Sequence, residues 1–316
     1  MRNSNNGQAV AAALNGSARP NQKKLTKILK PYLFLLPITI FTLVFSYYPF
    51  LKTFVFSLCK VNARGQISKF VGISNYIDIL QRGDFQNAII VSLKFVVMFV
   101  PFAVTIPFLL ALIANRPKFL TRFYQTCYAL PMAVSMSATC LIFEQLLHRR
   151  VGIFNYLLDQ VGFYSNMTAI DWLNSKTWAL PAIALVMLWA GLGFNFMLIL
   201  AAVRNVPTEL LEAASLEGAG YWRKVITIVI PSVSPTLFFV FCTQMIRGLT
   251  MTGPVMILTK GGPLSSTSTM IYYVYTTGFR SGNYTLGSTA SICSFILTFV
   301  FLLLNFMYEK KGVKYD

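Results

Sequence analysis

Six apolar runs, each long enough to cross a bilayer, leave this chain few ways to fold. They lie at roughly Pro31 to Leu58, Ala88 to Ala114, Phe123 to Leu147, Trp178 to Val203, Val233 to Leu258 and Leu286 to Tyr308, and about 20 apolar residues suffice for a helix to cross the hydrocarbon core. Lipid offers backbone groups no hydrogen-bond partner, so the expectation is an all-α integral membrane protein with six transmembrane helices. Only 12% of the residues are charged, against about 25% in a soluble domain. Residues 1–30 are polar and basic, too long and polar for the start of a signal peptide. They are expected to form a disordered cytoplasmic tail before an uncleaved first helix, leaving residues 31–316 as the transmembrane domain.

A net charge of +17 would suit nucleic acid, but the basic residues sit in short blocks between apolar runs, where they orient a membrane protein against anionic lipid. Nucleic acid is therefore excluded as a partner. Arg2, Arg19, Lys23, Lys24, Lys27, Lys30, Arg116, Lys118, Arg122, Arg204, Arg223, Lys224, Lys310, Lys311 and Lys314 fall on one alternating set of segments. They outnumber those on the other set, so both termini are expected in the cytoplasm. The five cysteines are scattered singly without CxxC spacing and read as buried thiols.

Between the fourth and fifth runs lies a polar, helix-forming stretch, residues 206–231, broken once by Gly218. Pro207 and Thr208 supply start signals, Glu209 and Glu212 sit where a helix N-terminus favours acid, and Gly218 can adopt the left-handed conformation that ends a helix. A second helix should run from Tyr221 toward Ile230 and stop before Pro231. By its chemistry this bracket suits either the lipid headgroups, with Leu210, Leu211 and Leu216 dipped in, or a cytoplasmic protein.

Glu212-Ala213-Ala214, then Gly218, then Ile228-Val229-Ile230-Pro231, resembles the EAA loop of membrane subunits in bacterial binding-protein-dependent ABC importers. Phe70-Val71-Gly72-Ile73-Ser74-Asn75-Tyr76, Gly152-Ile153-Phe154-Asn155, Asp171-Trp172-Leu173 and Leu258-Thr259-Lys260-Gly261-Gly262-Pro263 extend the likeness from about residue 30 to the end. The group it is most similar to is the carbohydrate-uptake permeases, like the larger membrane subunit of the maltose importer. The resemblance implies a type I permease fold in which residues 207–231 form a coupling loop, with Glu212, Ala213, Ala214, Gly218 and Pro231 meeting an ATPase. It implies a second homologous permease subunit, two ATPase subunits carrying ATP and Mg, an extracellular solute-binding protein and a carbohydrate substrate, an oligosaccharide.

The chain itself lacks the means for catalysis. It has no GxxxxGK[ST] loop for ATP, a single histidine, His148, which rules out HExxH, and no GxSxG. It carries no cofactor and no metal site. Polar groups inside spans are costly and therefore informative, and Gln244, Arg247 and Gly248 fall three and four apart on the fifth run. Arg247 suits a polyhydroxylated or anionic solute, or equally a backbone carbonyl or a partner's carboxylate. Resemblance adds Trp189, Gly191 and Phe194 to the substrate pathway, with Trp189 free either to stack on a sugar or to pack against a neighbouring helix. Within the family, a phosphorylated polyol such as glycerol phosphate is the alternative solute, on the strength of Arg247. A secondary transporter would need mid-membrane acids or an inverted repeat, and neither is evident.

Overall fold

Apolar runs become helices here wherever proline permits, and the prolines decide where the helices bend. The computed structural model describes residues 20–115, 121–162 and 169–312, so Arg2, Arg19, Arg116, Lys118 and Lys314 lie outside it. The chain divides into two units, Met1–Val55 and Phe56–Asp316. In the first, α1 (Pro20–Thr42) passes through a π-helical turn, Leu43–Tyr47, into α2 (Tyr48–Ser57). Helix therefore already occupies residues 20–30, which the sequence assigned to a disordered tail; Pro20 stands at a first helical position, where its missing N–H costs nothing.

The second unit adds α3 (Ser74–Leu80), α4 (Gly83–Ala114), α5 (Thr121–Ala129), α6 (Met136–Leu146), α7 (Ile153–Gln160), α8 (Ala179–Arg204), α9 (Thr208–Leu216), α10 (Tyr221–Lys224), α11 (Ile230–Leu249), α12 (Met270–Val274) and α13 (Tyr284–Gly312). Among the described residues, Pro31–Ser57, Gly83–Ala114, Ala179–Arg204, Tyr221–Leu249 and Tyr284–Met307 are long and apolar enough to span a bilayer, and α5 with α6 makes a sixth if that bent pair counts as one.

Three expectations about these helices need correction. The third span is not one rod from Phe123 to Leu147. A 3₁₀ turn, Leu130–Ala133, and an extended Val134 break it, and its two halves meet at 105°. Pro131 cannot continue the hydrogen-bond ladder of α5, and Ser135 caps α6 by accepting from the Ala138 amide at 3.2 Å. The helix entering the fifth span does not stop before Pro231. It widens into a π turn over Val225–Val229, with the Ile230 amide bonded to the Val225 carbonyl, and proline then occupies the first turn of α11. At its other end α11 stops at Leu249, short of the expected Leu258, and Thr252-Gly253-Pro254 precede a π turn at Val255–Thr259.

The fold is also not purely helical. Cys59–Val61 (β1) pairs antiparallel with Ile67–Phe70 (β2) after the first span. The stretch Phe70 to Tyr76 then folds back beneath the hairpin: Gly72 turns at φ +58, Asn75 Nδ2 donates to the Ser57 and Cys59 carbonyls, and the Tyr76 and Ser57 hydroxyls lie 2.6 Å apart. Farther on, the stretches around Asn155 and Trp172 meet each other. The Trp172 indole N–H donates to Asn155 Oδ1 at 2.9 Å, while Asn155 Nδ2 donates to the Arg149 and Ile170 carbonyls.

Two apolar cores stack along α4, α8 and α11. One gathers Phe95, Phe99, Ile183, Met187, Met245 and Leu249. The other gathers Phe108, Ala111, Phe196, Ile199, Val229 and Val233. A third, smaller core joins Phe85 and Ala88 to Met270, Tyr273 and Ala290.

The break in the third span rests on α8 at Gly193, where a Cβ would stand 2.8 Å from the Ala129 carbonyl oxygen and 3.0 Å from the Met132 amide nitrogen. Backbone cannot yield as a side chain can. Gly193→Val should lower the thermal midpoint of the purified protein by the equivalent of about 1–3 kcal/mol, the usual penalty of overpacking. An unchanged unfolding curve would mean that α5 and α6 do not meet α8 in this way.

Candidate functional site

The space between the two stacked cores is polar, and a proline makes it so. Pro107 lies inside α4 and offers no N–H, which leaves the carbonyl of Ala103, one turn earlier, without its helical donor. Asn195 on α8 fills the gap: its Nδ2 donates to the Ala103 oxygen at 3.1 Å. Asn195 Oδ1 accepts from Gln244 Nε2 on α11 at 2.9 Å, and Gln244 Oε1 accepts from Arg247 Nη1 at 3.5 Å. The direction of this relay is set at both ends. A carbonyl can only accept and a guanidinium can only donate, so each amide between them has a single workable orientation. Asn195 and Gln244 are each 1% exposed, which makes every link expensive to leave unmade.

Gly191, one turn before Asn195, gives the relay its room. A Cβ there would sit 3.1 Å from Arg247 Nη1, 3.6 Å from Gln244 Oε1 and 3.8 Å from Asn195 Nδ2. Gly191, Gln244 and Arg247 are thus brought together, and the three other residues assigned to the pathway are not part of the group. Trp189 packs against Phe143, with ring centroids 5.7 Å apart. Phe194 is exposed on another face of α8. Gly248 is buried where a Cβ would meet Val96, Phe95 and Phe99 of α4, so it serves close helix packing. Asn195 was missed by sequence reasoning, although the signal existed: an amide in an apolar run, four residues after Gly191. Pro107 was the corresponding signal for the Ala103 carbonyl.

The second feature is the bracket between α8 and α11. Gly218 has φ +78 and ends α9 in a Schellman motif, with Ala219 N–H on the Ala214 carbonyl at 2.9 Å and Gly218 N–H on the Ser215 carbonyl at 3.0 Å. Pro207 occupies the position before α9, without a side-chain cap. Lys224 Nζ donates to Ser215 Oγ at 2.9 Å and ties α10 back across the turn. Glu212 and Ala213 are exposed, Ala214 is half-buried, and Leu216 is 91% exposed. The bracket's roots are the opposite: Val206, Val225 and Val229 are buried in the same core as Ala111 and Phe196. Pro231 stands at the end of the widened turn, where bracket becomes span.

The remaining charged groups lie apart. His148 is exposed, and its Nδ1 accepts from the Arg150 amide. It lines a cleft of about 370 Å³ with Glu144, Arg149, Arg150 and Asp171. Arg82 forms a half-exposed pair with Asp84 at 3.3 Å, and that hydrogen bond raises its pKa. No group of residues able to hold a metal ion is present among those described.

The chain belongs to the family described as binding-protein-dependent transport system inner membrane component, whose model matches residues 70–311. It is a permease subunit of an ABC importer, a multi-pass membrane protein and not an enzyme. It is 27% identical over 287 residues to the sn-glycerol-3-phosphate transport system permease protein UgpA of Yersinia pestis bv. Antiqua (strain Antiqua), covering 90% of this chain and 96% of that one. With its counterpart from Escherichia coli (strain UTI89 / UPEC) the figures are 27% over 289 residues and the same coverage. Among solved structures, a chain of the bacterial alginate ABC transporter in complex with an alginate pentasaccharide-bound periplasmic protein superposes with a TM-score of 0.79 at 23% identity, over 92% of this chain and 99% of that one. A chain of the MetNI methionine ABC transporter gives a TM-score of 0.54 at 15% identity, over 76% and 99%.

The relay carries its own test. Asn195→Leu would strand both the Ala103 carbonyl and Gln244 Nε2, each at about 1–3 kcal/mol. The thermal midpoint should therefore fall well beyond what an equally apolar change at exposed Phe194, such as Phe194→Leu, produces. Equal shifts would show that the amide is not holding the helices.

Proposed function

We propose that this chain lines half of a translocation path for a carbohydrate, an oligosaccharide delivered by an extracellular solute-binding protein. A second homologous permease subunit supplies the other half. Two ATPase subunits bind ATP and Mg and drive the cycle; this chain binds neither. Both termini lie in the cytoplasm, as the distribution of basic residues favours.

The observation that carries this reading is the contrast within the bracket. Its tip, with Glu212, Ala213 and Leu216, is exposed, while its roots Val206, Val225 and Val229 belong to the core that joins α4, α8 and α11. A partner that grips α9 moves a rigidly rooted lever. Close-packed cores transmit such displacements, since they have little slack to absorb them. A helix resting passively on lipid headgroups would have no use for that connection.

The solute class is supported by two lines. Chemically, Arg247, a guanidinium whose orientation the buried amides of Gln244 and Asn195 fix, offers donors to the oxygens of a hydroxyl-rich ligand. By relationship, the sequence relatives are named for sn-glycerol-3-phosphate, and the structural neighbour for alginate, described as an acidic polysaccharide. Both are hydroxyl-rich.

Gly218→Val and Glu212→Lys should each leave the protein in the membrane at normal abundance while abolishing co-purification of the cognate ATPase and ATP-dependent sugar uptake. For Gly218→Val the cause is the left-handed backbone, which a β-branched residue tolerates poorly. Retention of ATPase by both variants, or labelling of a Ser215→Cys thiol by an impermeant reagent from the outside, would sink the reading.

A further inference from the structure

Arg247 is a half-buried cation in the fifth span that uses little of its hydrogen-bonding capacity among the described residues. A guanidinium has five N–H donors, and among the described residues Arg247 makes one hydrogen bond, to Gln244, and no ion pair. It is only partly exposed. A cation at this depth is expensive unless something compensates it. The last turn of α11, where Arg247 sits, gives a partial compensation through its outward carbonyls. The rest of the guanidinium fork is unspent.

The position of that fork is not left to chance. Gln244 Oε1 must face Arg247 because Gln244 Nε2 is committed to Asn195, which is committed in turn to the carbonyl that Pro107 leaves open. Three helices thus fix one guanidinium nitrogen. On the facing helix, Gly191 leaves the approach clear, for a side chain there would press on Nη1 from 3.1 Å. A cation whose sole task was helix packing would be met by a carboxylate or by several carbonyls. One held by a single nitrogen, with a cleared face, is arranged for a visitor of opposite charge.

We propose that Arg247 is a specificity-determining residue that reads an oxyanion, a carboxylate or a phosphate, on the transported solute. This rests on the reading of the chain as a carbohydrate permease and narrows it to acidic members of that class. The planar fork takes two oxygens of one group side by side, which an uncharged sugar cannot offer. The neighbouring Gln244 and Asn195 are almost wholly buried and each commits its oxygen and one amide hydrogen to the relay, so they orient Arg247 and do not themselves bind the anion.

The test uses the whole importer, this chain with its second permease, ATPase and binding protein, reconstituted in proteoliposomes with ATP. Four probes are compared: glycerol 3-phosphate against glycerol, and a uronic-acid oligosaccharide against a neutral oligosaccharide of equal length. Wild type should take up at least one acidic probe in preference to its neutral counterpart. Arg247→Gln should reduce that acidic-to-neutral ratio about tenfold or more, the scale of one charge-assisted hydrogen bond. Arg247→Lys separates the two sources, because an ammonium serves phosphate as a point charge but cannot grip a carboxylate with two parallel bonds. Recovery of the ratio by lysine indicates phosphate, and failure to recover indicates carboxylate. Gly191→Val, which leaves the charge in place but obstructs it, should lower the same ratio.

ATP-driven uptake with a ratio that Arg247→Gln does not change overturns this inference and leaves the carbohydrate reading standing. Dissociation of the complex on Arg247→Gln also overturns it, assigning the cation to a partner subunit's carboxylate. No ATP-driven uptake of any probe by wild type overturns the carbohydrate reading, and this one with it.

Discussion

One missing hydrogen sets the polar chemistry in the middle of this protein. An apolar helix of the length of α4 would ordinarily satisfy its own backbone, and the interior between α4, α8 and α11 would then be uniformly greasy. Pro107 removes a single donor, and the Ala103 carbonyl must look outside its own helix. Asn195 answers it, Gln244 answers Asn195, and Arg247 closes the series. The relay falls between the core containing Phe99, Ile183 and Leu249 and the core containing Phe108, Ile199 and Val233. Polar groups thus divide an otherwise continuous apolar interior and register three helices against one another, since amide pairs tolerate far less sliding than methyl groups do.

The bracket's roots lie in one core, Arg247 sits at the border with the other, and α8 and α11 run through both. A displacement of α9 would therefore reach the relay along two helices at once. The widened turn at Val225–Val229, just before α11, and the prolines Pro231 and Pro235 within α11 interrupt the regular ladder there. Such interruptions are where a long helix bends under load. The broken third span, held against α8 through Gly193, braces the opposite side.

Much of this was legible in the sequence because it follows from local rules. Long apolar runs gave the spans, and an acidic first turn followed by a glycine gave the bracket, down to the left-handed Gly218. What escaped was set by proline acting on a partner it does not adjoin. Pro131 broke a span whose composition reads as continuous. Pro231 failed to stop a helix because a π turn upstream absorbed the misfit. Pro107 made Asn195 important through the Ala103 carbonyl, which lies 92 residues from Asn195 in sequence and on another helix. Hydropathy averages over such positions and so conceals them. Trp189 and Phe194 were placed on the pathway by likeness and Gly248 by its spacing from Gln244 and Arg247; in the structure they meet a phenylalanine ring, an exposed face and the side chains of α4. The hairpin of β1 and β2 is too short to leave a readable alternation.

The central claim is that Pro107 and Asn195 act as one unit, the first creating the acceptor that the second satisfies. A double-mutant cycle on thermal unfolding addresses it directly, combining Pro107→Ala, which returns an N–H to the Ala103 carbonyl, with Asn195→Leu, which withdraws the amide. The account predicts that Pro107→Ala rescues the Asn195→Leu protein, with a coupling of about 1 kcal/mol or more. If the two substitutions simply add, to within about 0.5 kcal/mol, the carbonyl and the amide do not depend on each other and the relay has no anchor.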